Sequence, residues 1–336
     1  RPEGVKISAH ISRTLRFGLY HVLHLYPKAS KFIVLEDDLI LSPDFYRFML
    51  QTGTFLEMDS SLYCVSAFNY LSYPHTAMDA TQLYRVQTHP AYGWMTTRDI
   101  IKELLPKWLS STRATDWDYM MGSGVFRNGR DCLVPDINRS YHGGVMGTHF
   151  TPSFSTERDY LAKTYNTIPD VQLMDHRQLM QETYEQDMVL LIKRAKPIEV
   201  NDTLEIDLPE THKEEQFYVI FVQKEHSTDE LSFRIIGLVL DIWHKDGRET
   251  YHHTWRLHYH GATLLIVGVP LSKYASLMPA EYSVFRAIPE DEMVLNYLEF
   301  AKNGKTKVYF HHPDQKNKNM TELLMKKKYK IASDIK

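Results

Sequence analysis

Phe32-Ile33-Val34-Leu35-Glu36-Asp37-Asp38 decides the fold, because a short apolar run passes there directly into three consecutive carboxylates. A run this short and this apolar reads as a central strand buried on both faces, where adjacent like charges would be costly to desolvate. The carboxylates are therefore expected just beyond the strand's carboxyl end. In open α/β sheets ligands bind at that edge, and neighbouring carboxylates there suit a hard divalent cation that offsets their repulsion and recruits a phosphate-bearing substrate. The junction predicts a site for a metal and a nucleotide.

Upstream of this junction, Ile7, Ile11, Leu15 and Leu19 recur every four residues, so an amphipathic helix starts close to Arg1. A nucleotide-binding sheet normally opens with earlier strands, and the chain reads as a piece lacking them. Downstream, Ser42-Pro43-Asp44 supplies an N-cap, a proline at the first helical position and a first-turn carboxylate, for a helix to about Glu57. Strands are expected over 62–67 and 84–86, and a short helix over 99–105 stopped by Pro106. Helical patterns return at 116–121, 159–164 and 177–195.

Pro, Asn, Asp and Glu accumulate between Pro197 and Lys213, which marks a boundary. Strands are expected beyond it over 216–222, 233–243, 251–259 and 263–269, with Lys245-Asp246-Gly247 and His260-Gly261 as turns. The chain thus divides into an α/β unit over 1–200, a smaller mainly β unit over 214–290, and a Lys- and Asn-rich solvated tail over 303–336.

Composition is ordinary for a globular protein of 336 residues: 43% hydrophobic, 24% charged, with a formal net charge of −3. That balance gives no reason to invoke nucleic acid. The 17 histidines include the pairs His252-His253 and His311-His312, which lack the i, i+4 spacing of a helical zinc site and read as surface or strand residues. No run approaches the roughly 20 apolar residues of a membrane span. Cys64 and Cys132 lie in strand-like stretches, either as buried small hydrophobes or as a pair. Sequons at Asn138, Asn201 and Asn319 are compatible with a secretory lumen.

Two further stretches carry chemistry. Asp116-Trp117-Asp118 offers a second carboxylate for the same rim: Asp116 is placed to cap the following helix, whereas Asp118, two residues inside, is not needed there. Trp117 could wall that carboxylate, present a face to a sugar ring, or fill core. His89-Pro90-Ala91-Tyr92-Gly93-Trp94 sets a glycine bend beside aromatics, and 143–149 forms a second glycine-rich bend without the GxGxxG or Walker pattern.

In this order the pieces resemble the N-acetylglucosaminyltransferase I family, and more closely its branch that extends O-linked mannose. The resemblance covers roughly Lys6 to Pro270. Its anchors include Lys6-Ile7 with His10, Leu35-Glu36-Asp37-Asp38 with Asp44-Phe45, Leu62-Tyr63-Cys64-Val65-Ser66-Ala67 and Leu83-Tyr84-Arg85-Val86. Gly93-Trp94, Pro106-Lys107-Trp108, Asp116-Trp117-Asp118, Gly129-Arg130-Asp131-Cys132, Ser140-Tyr141-His142, Trp255-Arg256-Leu257 and Val267-Gly268-Val269-Pro270 follow.

The resemblance implies an α/β fold of the GT-A type, Rossmann-like and here N-terminally incomplete, with Mn2+ as cofactor and UDP-GlcNAc as donor. It implies an inverting transfer to a mannose-terminated glycoprotein or glycopeptide. Asp38 would ligate the metal, His10, Glu36, Asp37, Thr148 and His149 would hold the donor, Asp118 would be the catalytic base, and Trp255 would lie on the acceptor side. It further implies a Cys64–Cys132 disulfide and residence in the Golgi lumen as a type II membrane protein, with the anchor upstream. Where the family has Trp-Asn-Asp this chain has Phe68-Asn69-Tyr70, and after the base Met120-Met121-Gly122 and Gly124-Val125-Phe126-Arg127 replace the usual pattern. A carboxylate is lost at Tyr70, and a non-catalytic lectin-like or scaffolding homologue is the alternative.

Overall fold

The computed structural model describes residues 7–88, 91–108, 117–143, 159–200, 204, 206, 208, 216–291, 294–296 and 298–299. Helix α1 (Ile7–Leu25) precedes strand β1 (Lys31–Val34), as its four-residue apolar spacing requires. The acidic loop follows, then β2 (Leu39–Leu41), α2 (Phe45–Met58), β3 (Leu62–Ser66), β4 (Leu83–Val86), β5 (Trp94–Thr97) and α3 (Arg98–Lys107). Short helices α4 (Trp117–Gly122) and α5 (Gly124–Arg127) lead to β6 (Asp131–Pro135) and β7 (Ser140–His142). Helix α6 (Gln181–Arg194) and β8 (Lys196–Pro197) connect to β9 (Phe217–Lys224), α7 (Leu231–Val239), β10 (Thr254–Tyr259) and β11 (Ala262–Pro270).

Strands β1, β5, β3, β6 and β4 lie side by side in that order. Strands β1 and β3 both run antiparallel to β5, and β6 runs parallel to β3, so β1, β3 and β6 point the same way and end on one rim. The loops carrying Glu36–Asp38, Phe68–Tyr70 and Ile137–Ser140, together with the bend entering β5 at Tyr92-Gly93, are gathered there. Helix α2 covers one face through Phe48, Met49 and Phe55, while α1, α3 and α4 cover the other through Leu19, Ile101, Leu104 and Met121. A second sheet, β10-β11-β9-β8, shares the first core through Val219, Phe221, Leu265 and Val267. The small β2–β7 ribbon ties the acidic loop to the end of the first sheet.

Several expectations are corrected. Strand β1 is not buried on both faces: among the described residues it pairs only with β5, and Ile33 on this edge is 37% exposed. The cap of α2 is Asp44 rather than Ser42, so Pro43 precedes the helix; the Ser42 hydroxyl donates to Asp44 Oδ1 at 2.7 Å, and Arg139 Nε donates to Oδ2 at 3.0 Å. Pro106 does not stop α3, which runs one residue further, because a proline in the last turn forfeits a single ladder bond. The helix expected over 177–195 is a 3-10 turn, His176–Leu179, followed by α6. Of 159–164, residues 159–161 are helical.

The largest miss is the strand expected over 233–243. Its residues Phe233 to Val239 lie in helix α7, where Ser232, Phe233, Ile235, Ile236 and Gly237 are buried. Parallel pairing of β9 with β11 demands a crossover, and α7 lies within it. The His260-Gly261 turn is as expected, a two-residue hairpin with φ of 48° and 96°. The expected tail lies outside the described residues.

Candidate active site

The order of the strands puts the carboxylates predicted from separate stretches of sequence beside one another. Glu36, Asp37 and Asp38 turn from β1 toward β2, and Asp118 stands in the first turn of α4. Burial pushes the Glu36 carboxyl up to about 7, and the charges of Asp38, Asp118 and Asp37 push it the same way against His142. Asp118 also contributes to holding the Tyr70 hydroxyl above its ordinary range, where burial is the main cause and Arg248 opposes.

Around the carboxylates the scaffold is aromatic. Trp117 lies against Trp94, ring centres 5.7 Å apart and planes 21° apart, so it packs toward the core behind Asp118. Tyr70 is buried against Trp243 at 4.8 Å and under the Arg248 guanidinium at 4.2 Å. Arg248 donates to the Tyr119 hydroxyl at 2.7 Å and to Asp246 at 2.9 Å, which also accepts from Trp243 Nε1 at 2.8 Å. The loop between α7 and β10 thereby reaches the residue next to Asp118. Gly93 sits with φ of 92° beneath Leu35 and Leu39, a bend that a side chain would strain.

The other expected residues fare differently. His10 lies in the first turn of α1, and among the described residues no hydrogen bond or ion pair joins it to the acidic loop. Thr148, His149 and Asp116 lie outside the described residues. Trp255 is fully buried, stacked on Phe233 at 3.8 Å, with Nε1 donating to the Arg248 carbonyl; it is core, not an acceptor surface. Asn138 is also buried, exchanging hydrogen bonds with the Asn69 backbone, so that sequon cannot meet a glycosylating enzyme in the folded chain. Cys64 and Cys132 are bridged across the parallel β3–β6 pair.

Sequence reasoning assigned no role to His142, Tyr119, Asp246 or Arg248. His142 was visible only as part of a matched tripeptide, and Asp246 only as a turn former; what unites them is proximity between distant segments.

A model of the GNT-I family matches residues 2–244, well over half of the chain. The chain belongs to the GNT-I family. An Arabidopsis thaliana relative, alpha-1,3-mannosyl-glycoprotein 2-beta-N-acetylglucosaminyltransferase, is 26% identical over 202 residues, 60% of this chain and 44% of the relative. This GNT-I family chain therefore spans less than half the length of that relative.

No group of three His, Cys, Asp or Glu side chains placed to hold a metal occurs among the described residues. A hard cation that takes one or two carboxylates, with water and substrate phosphates as its other ligands, needs no such group. Asp38 fits this role. It lies beside Glu36, which burial first, and the charges of Asp38, Asp118 and Asp37 against His142, push up to about 7.

Proposed function

We propose that this chain carries the catalytic site of an inverting transferase with a GT-A type fold, which moves GlcNAc from UDP-GlcNAc to the 2-hydroxyl of a terminal mannose. The observation that carries this reading is the single electrostatic cluster made by Glu36, Asp37, Asp38 and Asp118, residues that the sequence separates by some eighty positions. Family membership and the relative's name support the sugar and the acceptor class.

Asp118 takes the proton of the attacking mannose hydroxyl, and Trp117, backed by Trp94, keeps that carboxylate at the rim. Asp38 would hold Mn2+, which offsets charge on the departing diphosphate. Glu36 and Asp37 face the donor's sugar and ribose, and His10, Thr148 and His149 complete the donor contacts. The buried disulfide accords with an oxidising lumen, which the Golgi provides.

Asp118→Asn in the whole protein should lower kcat about 100- to 10,000-fold while UDP-GlcNAc binding, measured by calorimetry, is retained. Lost donor binding would instead make Asp118 a structural residue. A second reading, a lectin-like homologue without turnover, is favoured by Tyr70, a buried aromatic where the family carries a carboxylate. Release of UDP in the presence of Mn2+ separates the two readings, with an O-mannosyl peptide and a mannose-terminated N-glycan offered in parallel. Turnover on either sinks the second reading and identifies the acceptor; donor binding without turnover on both sinks the first.

A further inference from the structure

His142 is fixed more tightly to the acidic loop than any role assigned so far requires. Strand pairing sets it opposite Leu39, the residue after Asp38, and the next amide, Gly143 N, donates to the Asp38 carbonyl at 2.9 Å. Its Nε2 stands 3.1 Å from Asp38 Oδ2. The ring lies between Tyr92 and Tyr160, centres 4.6 and 5.1 Å away, and the hydroxyls of those tyrosines bond each other at 2.8 Å. Backbone pairing, ring packing and a side-chain ion pair converge on one carboxylate.

Nδ1 is buried and makes no hydrogen bond among the described residues. With Nδ1 unpartnered, Nε2 is the ring nitrogen that faces an acceptor, and a proton carried there serves Asp38.

We infer that His142 is a positioning residue for Asp38: its Nε2–H fixes the plane of the carboxylate, so that the oxygens are already aimed when a divalent cation and a nucleoside diphosphate arrive. The inference rests on the cation role proposed for Asp38. Outer partners of this kind typically contribute 10- to 100-fold to metal affinity.

The test uses His142→Phe, which keeps a ring between the two tyrosines but has no donor, and His142→Gln, whose amide nitrogen reaches near the Nε2 position. Mn2+ is titrated into the protein with UDP present and read by electron paramagnetic resonance, and the unfolding midpoint is measured on the same samples. His142→Phe should weaken Mn2+ binding 10- to 100-fold at an unchanged midpoint, with partial recovery in His142→Gln. Unaltered Mn2+ affinity in His142→Phe overturns the inference while leaving the cation site standing. So does a loss that tracks a fallen midpoint in both variants, since that marks a packing role. No Mn2+ uptake by the unaltered protein with UDP overturns the cation reading and this inference together.

Discussion

Two clusters of carboxylates lie in one sheet and meet different neighbours: an arginine in one, further carboxylates in the other, although burial raises Asp131 as it does Glu36. Asp59 and Asp131, behind β3 and β6, are held by Arg85, whose buried guanidinium donates to Asp59 at 2.7 Å, to Asp131 at 2.7 and 3.0 Å, and to the Leu179 carbonyl at 2.8 Å. At the opposite rim, Glu36 shares its pocket with three more carboxylates. Burial is the largest influence on both Asp59 and Glu36, and in both it pushes the carboxyl up. Hydrogen bonds from Ser61 and Arg85 nevertheless bring Asp59 below its ordinary range, whereas around Glu36 three carboxylates add to burial against His142 alone, and it stands at about 7. Carboxylates answered by a buried arginine build the fold; at the rim, burial and like charges outweigh the single histidine facing Glu36.

The largest expected effect breaks the compensated side. Arg85→Met strands two buried carboxylates and should cost about 3–5 kcal/mol in urea unfolding. Glu36→Gln at pH 8 removes one of four crowded charges and should leave stability unchanged or raised. Equal losses in the two variants would erase the distinction between the clusters.

That distinction was only half legible in the sequence. The acidic junction was readable because a strand that short cannot bury three charges, and Asp118 because its helix does not need it. Arg85 was matched only as part of a strand, since a buried arginine and a surface arginine spell alike. The same limit explains α7: Phe233-Arg234-Ile235-Ile236 has strand composition, and only the parallel pairing of β9 with β11 calls for a crossover there. Trp255 was placed near the acceptor by its position in a matched tripeptide, yet its stacking on Phe233 is a contact between β10 and α7 that no local pattern announces. Chemistry was legible where a residue violated its local environment, and hidden where the environment came from distant segments.

Glu249 tests an intermediate case, a buried carboxyl with partial compensation. Its Oε1 accepts from Tyr70 N at 3.1 Å; burial pushes it up to about 7, while the Tyr70 amide, Arg248 and Lys163 oppose and Asp246 adds to the rise. Between pH 4.5 and 7 the unfolded chain has released a proton that the folded chain retains, so rising pH costs stability. Glu249→Gln keeps the acceptor for Tyr70 and removes the titration. Relative to this variant, the unaltered protein should lose about 3 kcal/mol from pH 4.5 to 7.5. A stability difference between the two that is flat across that range would show that Arg248 and Lys163 compensate Glu249 in full.

The smallest effect lies where the two regimes touch. Tyr119 is exposed and adjoins Asp118, yet its hydroxyl accepts from Arg248, which is held by Asp246 on the loop after α7. Tyr119→Phe removes a partly solvated hydrogen bond and should cost no more than about 1 kcal/mol. The informative quantity is its coupling to Arg248→Met in a double-mutant cycle, expected at about 0.5–1 kcal/mol because the two side chains share one bond. Coupling of that size means that the second sheet helps to hold the helix bearing Asp118. A coupling of zero means that α4 is held by the Trp117–Trp94 stack and its buried Met120 and Met121, and that the loop after α7 acts on the rim through Tyr70 rather than through the helix bearing Asp118.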